Sequence, residues 1–164
     1  MITKTFKVFT KKIHRKLRVL TQYAVDGAIA WLYPYPDNGV FKISVFPSYE
    51  ICPLWTDKGH TELDGAMRYY TEEVFTEKGG TETIHRVDLF TIHGITHFRY
   101  QGGSLILEQN PHSDYLISDT RNYNWDKLPM IPFKYNTKEI PLIKMVKTLQ
   151  DGLNIIESNF QNNM

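Results

Sequence analysis

The chain has one cysteine, Cys52, in 164 residues. No internal disulfide is possible, which fits a reducing compartment. No uninterrupted apolar run approaches the ~18 residues of a membrane span. The charged N-terminus is followed by no apolar segment of the signal-peptide kind. Glycine-rich phosphate loops of the Walker type are missing, as are a GxGxxG after a strand and a serine in a GxSxG elbow. With a single cysteine there is no cysteine-based zinc site. These absences argue against the common nucleotide, hydrolase and zinc classes; the expectation is no cofactor, no metal and no catalytic residue. Net charge is +1, so the chain as a whole has no strong pull on nucleic acid.

What is present is apolar and aromatic. Hydrophobic residues make up 41% and aromatics 13%, with 10 Tyr and 9 Phe. That is enough to build a core, and the aromatics favour pleated structure. Charge is unevenly placed. Met1 to Leu20 carries seven of the 19 Lys and Arg and none of the 18 acids, leaving the rest at a net −6. A basic end on an acidic body reads either as a partner or phosphate surface or as a solvated helix face. Lys11, Lys12, Arg15, Lys16 and Arg18 are its candidates.

Periodicity orders the rest. Phe9, Ile13, Leu17, Leu20 and Ala24 recur at helical spacing, which predicts a helix over residues 8–25 that ends near Gly27. The period then becomes two. Ala28 to Pro34 and Val40 to Phe46 read as strands around Pro36-Asp37-Asn38-Gly39, a strong turn signal. Pro47 ends the second strand. Ser48 to Leu54 reads as a turn or short helical bend, and His60 to Asp64 as a loop. Ala66 to Thr76 and Thr81 to Thr91 form a second hairpin around Gly79-Gly80. Ile95 to Tyr100 and Ser104 to Glu108 form a third around Gly102-Gly103. Asn110 to Leu128 is polar and reads as a long loop, and Ile131 to Tyr135 as a last strand. Pro141 opens a second helix over residues 141–161. Its apolar residues Leu142, Met145, Leu149, Leu153, Ile156 and Phe160 form a narrow seam suited to packing on another helix. Gly152 weakens its centre by about 1 kcal/mol relative to Ala. The expected class is α+β: an antiparallel meander of hairpins flanked by an N-terminal and a C-terminal helix.

Few residues carry candidate chemistry. His85, His93 and His97 lie close in sequence, and a metal reading competes with ordinary strand-face histidines; Gly94 suggests a turn that would separate the rings. Glu62 and Asp64 are the one acid pair that general acid–base work could use, against the plainer reading of solvated loop acids. His97-Phe98-Arg99-Tyr100 interleaves base and aromatic, as in single-strand binders, but also as in any half-buried strand. Cys52, between Ile51 and Pro53, reads as a buried small residue.

Three stretches, in this order, resemble the portal proteins of tailed bacteriophages, of the type found in siphophages of Gram-positive hosts. The first is Tyr23-Ala24-Val25-Asp26-Gly27-Ala28 with Ala30-Trp31-Leu32, leading to the hairpin at Asp37-Asn38-Gly39. The second is Phe46-Pro47-Ser48-Tyr49-Glu50-Ile51-Cys52-Pro53-Leu54-Trp55, then Leu63-Asp64-Gly65-Ala66-Met67-Arg68-Tyr69-Tyr70. The third is Ile131-Pro132-Phe133 with Asn136, then Leu149-Gln150-Asp151-Gly152-Leu153-Asn154 and Ser158-Asn159. The resemblance implies a wing-like β domain over residues 1–140 and the start of a stem helix over residues 141–164. It implies a structural role in a ring of twelve copies at a capsid vertex. Double-stranded DNA would pass through the ring, which would dock terminase, capsid or scaffold, and head-completion proteins. The implied place is the virion, after assembly in the host cytoplasm, with no membrane. A stand-alone β-sheet module binding a ligand or peptide is the competing reading, and it needs a lined pocket or closed barrel.

Overall fold

A computed structural model of the chain describes residues 2–37, 40–76, 79–117 and 121–162, with the side chains of residues 2–12 and of Met145 outside the described set. The elements run α1 (Ile2–Gly27), β1 (Ile29–Asp37), β2 (Val40–Pro47), a 3-10 turn at Ser48–Glu50, β3 (Ile51–Trp55), β4 (Leu63–Phe75), β5 (Thr81–Thr91), β6 (Gly94–Gln101), β7 (Ser104–Ser113), β8 (Ile131–Lys134) and α2 (Leu142–Asn162). The class is α+β, as the periodicity predicts. One sheet has the order β2-β1-β8 and the other β3-β4-β5-β6-β7.

The residues group into two compact units. One takes in α1, the start of β1, the end of β2, most of β8, and α2; the other is Tyr33–Ser44 with Tyr49–Ile131. In the first, the α1 stripe does what its spacing requires. Leu20 and Ala24 are buried with Ala30, and Tyr23, Leu32 and Val45 pack around them. Trp31 is also fully buried. The chain leaves α1 through a close approach. A Cβ on Gly27 would stand 2.1 Å from Ser48 Oγ and 3.0 Å from Ser48 Cβ, so a larger residue there would have to displace the Ser48 side chain. The left-handed residue of this exit is the next one, Ala28 (φ 71°). Its carbonyl accepts from the Tyr135 amide at 2.9 Å.

The second unit is an antiparallel meander. The pairing Val87↔Phe98 and Phe98↔Leu107 follows from alternation plus the two-residue turn at Gly102-Gly103, both at positive φ. One face buries Ile51, Ala66 and Phe90. Tyr33 meets Phe90 edge to face at 5.3 Å. Tyr115 is buried too and donates to the Thr91 carbonyl at 2.7 Å. The Asn38-Gly39 turn and Glu77-Lys78 lie outside the described residues.

Four expectations need correction. Residues 51–55 form strand β3, not a bend: only Ser48–Glu50 is helical, and Ile51↔Arg68 starts the ladder. Leu63 and Asp64 already belong to β4. β7 runs to Ser113, so the predicted long loop starts later than Asn110. Pro111 is tolerated there because the β6–β7 register shifts between Thr96↔His112 and Phe98↔Leu107, leaving His97 opposite residues 108–111. Cys52 is exposed, not buried. Its neighbours are apolar, but on a strand Ile51 turns in and Cys52 turns out.

Candidate functional site

The most exposed apolar surface with a regular spacing is α2. Its start is set by Asn136, whose Oδ1 accepts from the Lys138 and Ile140 amides at 3.0 and 3.1 Å while Nδ2 donates to the Ile140 carbonyl at 2.6 Å. Glu139 takes positive φ there (51°) and pairs with Lys134 at 2.8 Å. Pro141 follows, and the Lys144 amide donates back to its carbonyl. Every described side chain from Leu142 to Asn162 is exposed. Of the seam residues, Leu142 is 39% exposed, Leu149 71%, Leu153 60%, Ile156 67% and Phe160 66%; the Met145 side chain lies outside the described residues. Val146, 52% exposed, lies beside Met145 on the same turn. Leu142, Leu149 and Ile156 are seven apart, and so are Val146, Leu153 and Phe160. That is a sustained two-position heptad, which helix–helix seams require.

On α1 the side chains of Arg15, Lys16 and Arg18 are exposed, and those of Lys11 and Lys12 lie outside the described residues. By helical spacing Arg15 and Arg18 lie on the side of α1 away from Leu20 and Ala24, whereas Lys16 stands one turn before Leu20 on the same side and is exposed.

The three neighbouring histidines go separate ways. His85 stacks on Tyr69 with its Nδ1 2.6 Å from the tyrosine hydroxyl. His93 sits at the exposed β5–β6 turn, its amide donating to Thr91 Oγ1. His97 lies between Asp88 and Ser113. A carboxylate only accepts, so His97 Nδ1 donates to Asp88 Oδ1 at 2.7 Å, and Nε2 lies in hydrogen-bond contact with the Ser113 hydroxyl at 2.9 Å. Among the described residues no three metal-ligating side chains converge. The Asp–His–Ser order has the outline of a hydrolytic triad, but its surroundings are those of a brace. Asp88 is buried (7% exposed) and is also hydrogen-bonded to Tyr70. Burial first, then the Asp88 charge, pushes the Tyr70 and Tyr33 hydroxyls each up to about 12. The relay thus ties β4, β5, β6 and β7 together where the β6–β7 ladder is interrupted. Asp88 and Ser113 escape a sequence search because the set exists only through cross-strand register; the one clue is that Asp88 and His97 flank the His93-Gly94 turn.

The remaining candidates are ordinary surface. Glu62 and Asp64 are exposed, and Glu62 serves through its main chain. The loop before β4 is organised by Asp57, whose carboxylate accepts from the Glu62 and Thr61 amides and the Thr61 hydroxyl. The Glu62 amide foremost, then Thr61, holds Asp57 down at about 2. Phe98 and Tyr100 share one sheet face while Arg99 lies on the other, bonded to Glu82 at 3.1 Å. Arg86 bridges Glu72 at 2.5 Å and Glu108. A shallow cavity of about 310 Å³ is lined by Glu82, Thr83, His85, Arg99, Tyr100 and Gln101. Its lining is largely polar, and among the described residues both sheets have an open strand order and not that of a closed barrel.

The chain matches the family model described as phage portal protein, SPP1 Gp6-like, over residues 12–164. Among curated proteins it is similar to the portal protein of Bacillus phage SPP1, 27% identical over 144 residues. That alignment takes in 82% of this chain and 27% of the relative, so the chain spans about a quarter of the length of the curated relative it matches.

Proposed function

The chain belongs to the phage portal proteins of the SPP1 Gp6-like family, a structural and not an enzymatic family, and on that premise we propose that it is the outer part of a portal subunit in a capsid-vertex ring. Residues 1–140 act as the wing-like β domain and residues 141–164 as the start of a stem helix. The ring, of twelve copies, passes double-stranded DNA non-specifically during packaging and ejection. It docks terminase, capsid or scaffold, and head-completion proteins, and is assembled in the host cytoplasm before residing in the virion. The basic face at Lys11, Lys12, Arg15, Lys16 and Arg18 is a docking surface for an acidic partner or phosphate. No membrane is involved; no helix among the described residues is long and apolar enough to cross one.

The observation that carries this reading is α2. An apolar heptad along a 21-residue helix, with each described seam position exposed, is incomplete in water without a second helix. Leu142, Leu149, Leu153, Ile156 and Phe160 with Val146 therefore pack on helices of neighbouring copies. Sedimentation velocity over a concentration series tests it. The wild-type chain forms species larger than a dimer, and the pair Leu149→Glu and Ile156→Glu abolishes them. Survival of those species in the doubly substituted chain sinks the reading.

A further inference from the structure

Charge divides the chain by unit. The unit holding α1 and α2 (Met1–Leu32, Val45–Ser48 and Pro132–Met164) carries 11 Lys and Arg against 4 Asp and Glu, a net +7. The meander unit carries 8 against 14, a net −6. Most of the positive excess is on α1. By helical spacing Lys4, Lys7, Lys11, Arg15 and Arg18 occupy one line of positions, at steps of three and four, on the side away from Leu20 and Ala24. Like charges at these steps weaken a helix, and no acid occupies the first turn to offset them. An acidic surface laid against the line removes that repulsion.

The ion pairs within the chain do not supply this surface. Arg68, Arg86 and Arg99 of the meander are matched by Glu50, by Glu72 with Glu108, and by Glu82. Among the described residues Arg15, Lys16 and Arg18 enter no ion pair, and neither do the exposed acids Glu62, Asp64 and Glu73. Two of these spare acids stand together at the start of β4, where Glu62 and Asp64 follow the loop that the Asp57 carboxylate organises. We propose that the basic line of α1 docks on the acidic meander of the next copy, around Glu62 and Asp64, in a head-to-tail contact. This rests on the ring reading and says which surfaces of adjacent copies meet. A head-to-tail contact joins two different surfaces of one chain and repeats until the ring closes. Surfaces of opposite sign suit it, whereas α1 against α1 would set like charges together. Phosphate or nucleic acid on α1 would leave each acidic meander uncompensated beside its neighbour's. A second copy compensates both, and the chain's net +1 leaves little charge over.

The test uses the 164-residue chain at an ionic strength of ~10 mM, where charges act across about 30 Å, with association read by sedimentation velocity. Arg15→Glu with Arg18→Glu is expected to weaken association at least ~10-fold, and so is Glu62→Lys with Asp64→Lys. An equimolar mixture of these two variants restores it, because each offers the surface that the other has reversed. The chain carrying all four changes associates as the wild type does. All four positions are exposed, so none of these substitutions empties the core. A mixture no better than either variant alone overturns the proposal. So does unchanged association of the Arg15→Glu and Arg18→Glu variant, even where that variant loses binding to a short DNA duplex. The same comparison is made with Leu149→Glu and Ile156→Glu added. Restoration by mixing persists there, because the charges act without the seam. Wild-type assembly that survives loss of the seam sinks the seam reading, and the mixing result still judges this contact by itself.

Discussion

The meander and α2 expose comparable side chains for opposite reasons. In the meander, apolar exposure is what remains after one sheet face has been buried on Ile51, Ala66 and Phe90 and the strands have been laced by Asp88, His97, Tyr70 and Ser113. In α2 nothing described is buried, from Leu142 to Asn162. Most of a helix's stability comes from packing an apolar face, and short isolated helices are marginal in water. The meander buries a sheet face of its own, whereas α2 buries none of its described side chains and, under the proposed function, draws its stabilisation from a partner helix.

Two phenylalanines give the largest contrast. Phe90→Ala is expected to cost about 4 kcal/mol, because it leaves a cavity under β5. Phe160→Ala, on an exposed position, is expected to change the stability of the dilute chain by less than ~0.5 kcal/mol. Urea titration followed by tryptophan fluorescence measures both. Similar costs at the two positions would break the distinction between the regions.

Asp88→Ala is next, at about 3 kcal/mol. It strands the His97 ring and the Tyr70 hydroxyl inside the meander without their common acceptor. Ser113→Ala, which removes only the outer end of the relay, is expected to cost about 1 kcal/mol. The reverse order of these two costs would make Ser113, not Asp88, the centre of the brace.

Acid also acts on the meander. Asp57 is lowered in the folded chain to about 2 from an ordinary 3.8. Its stabilising contribution is therefore complete above about pH 4 and is lost as pH falls towards 2. Asp57→Asn should flatten that part of the stability–pH curve. A curve unchanged between pH 4 and 2 would mean the loop at residues 57–62 is uncoupled from the strands.

The same contrast explains what could be read in advance. Thr81–Thr91 and Ser104–Glu108 were legible because alternation and paired glycines act locally. β3 was not, since five residues with Pro53 have no period of their own and become a strand only by pairing with β4. The exposure of Cys52 is not legible from its sequence neighbours, because apolar residues on both sides do not settle which side of a strand faces in. The Asp88–His97–Ser113 relay depends on the register of three strands and on a ladder interruption that no local signal announces. On α2 the helix was legible almost to the residue, because heptad spacing is a local property. Met145 and Val146 both fall within a turn of Leu142, and spacing alone admits either beside Leu149 in the seam.

The smallest expected effect tests whether α2 is a preformed seam. Gly152 lies one residue before Leu153, beside the seam, and a Cβ placed on it would meet nothing within 4 Å. Gly152→Ala should therefore stabilise the helix by about 1 kcal/mol with no clash. Far-ultraviolet circular dichroism of the dilute chain should show more helix, while the urea midpoint of the meander stays where it was. Self-association through the seam should tighten together with the helicity, because less ordering remains to be done when two helices meet. If helicity rises and association weakens, the glycine is there to let a neighbouring helix come close, and the seam is wider than its six apolar positions.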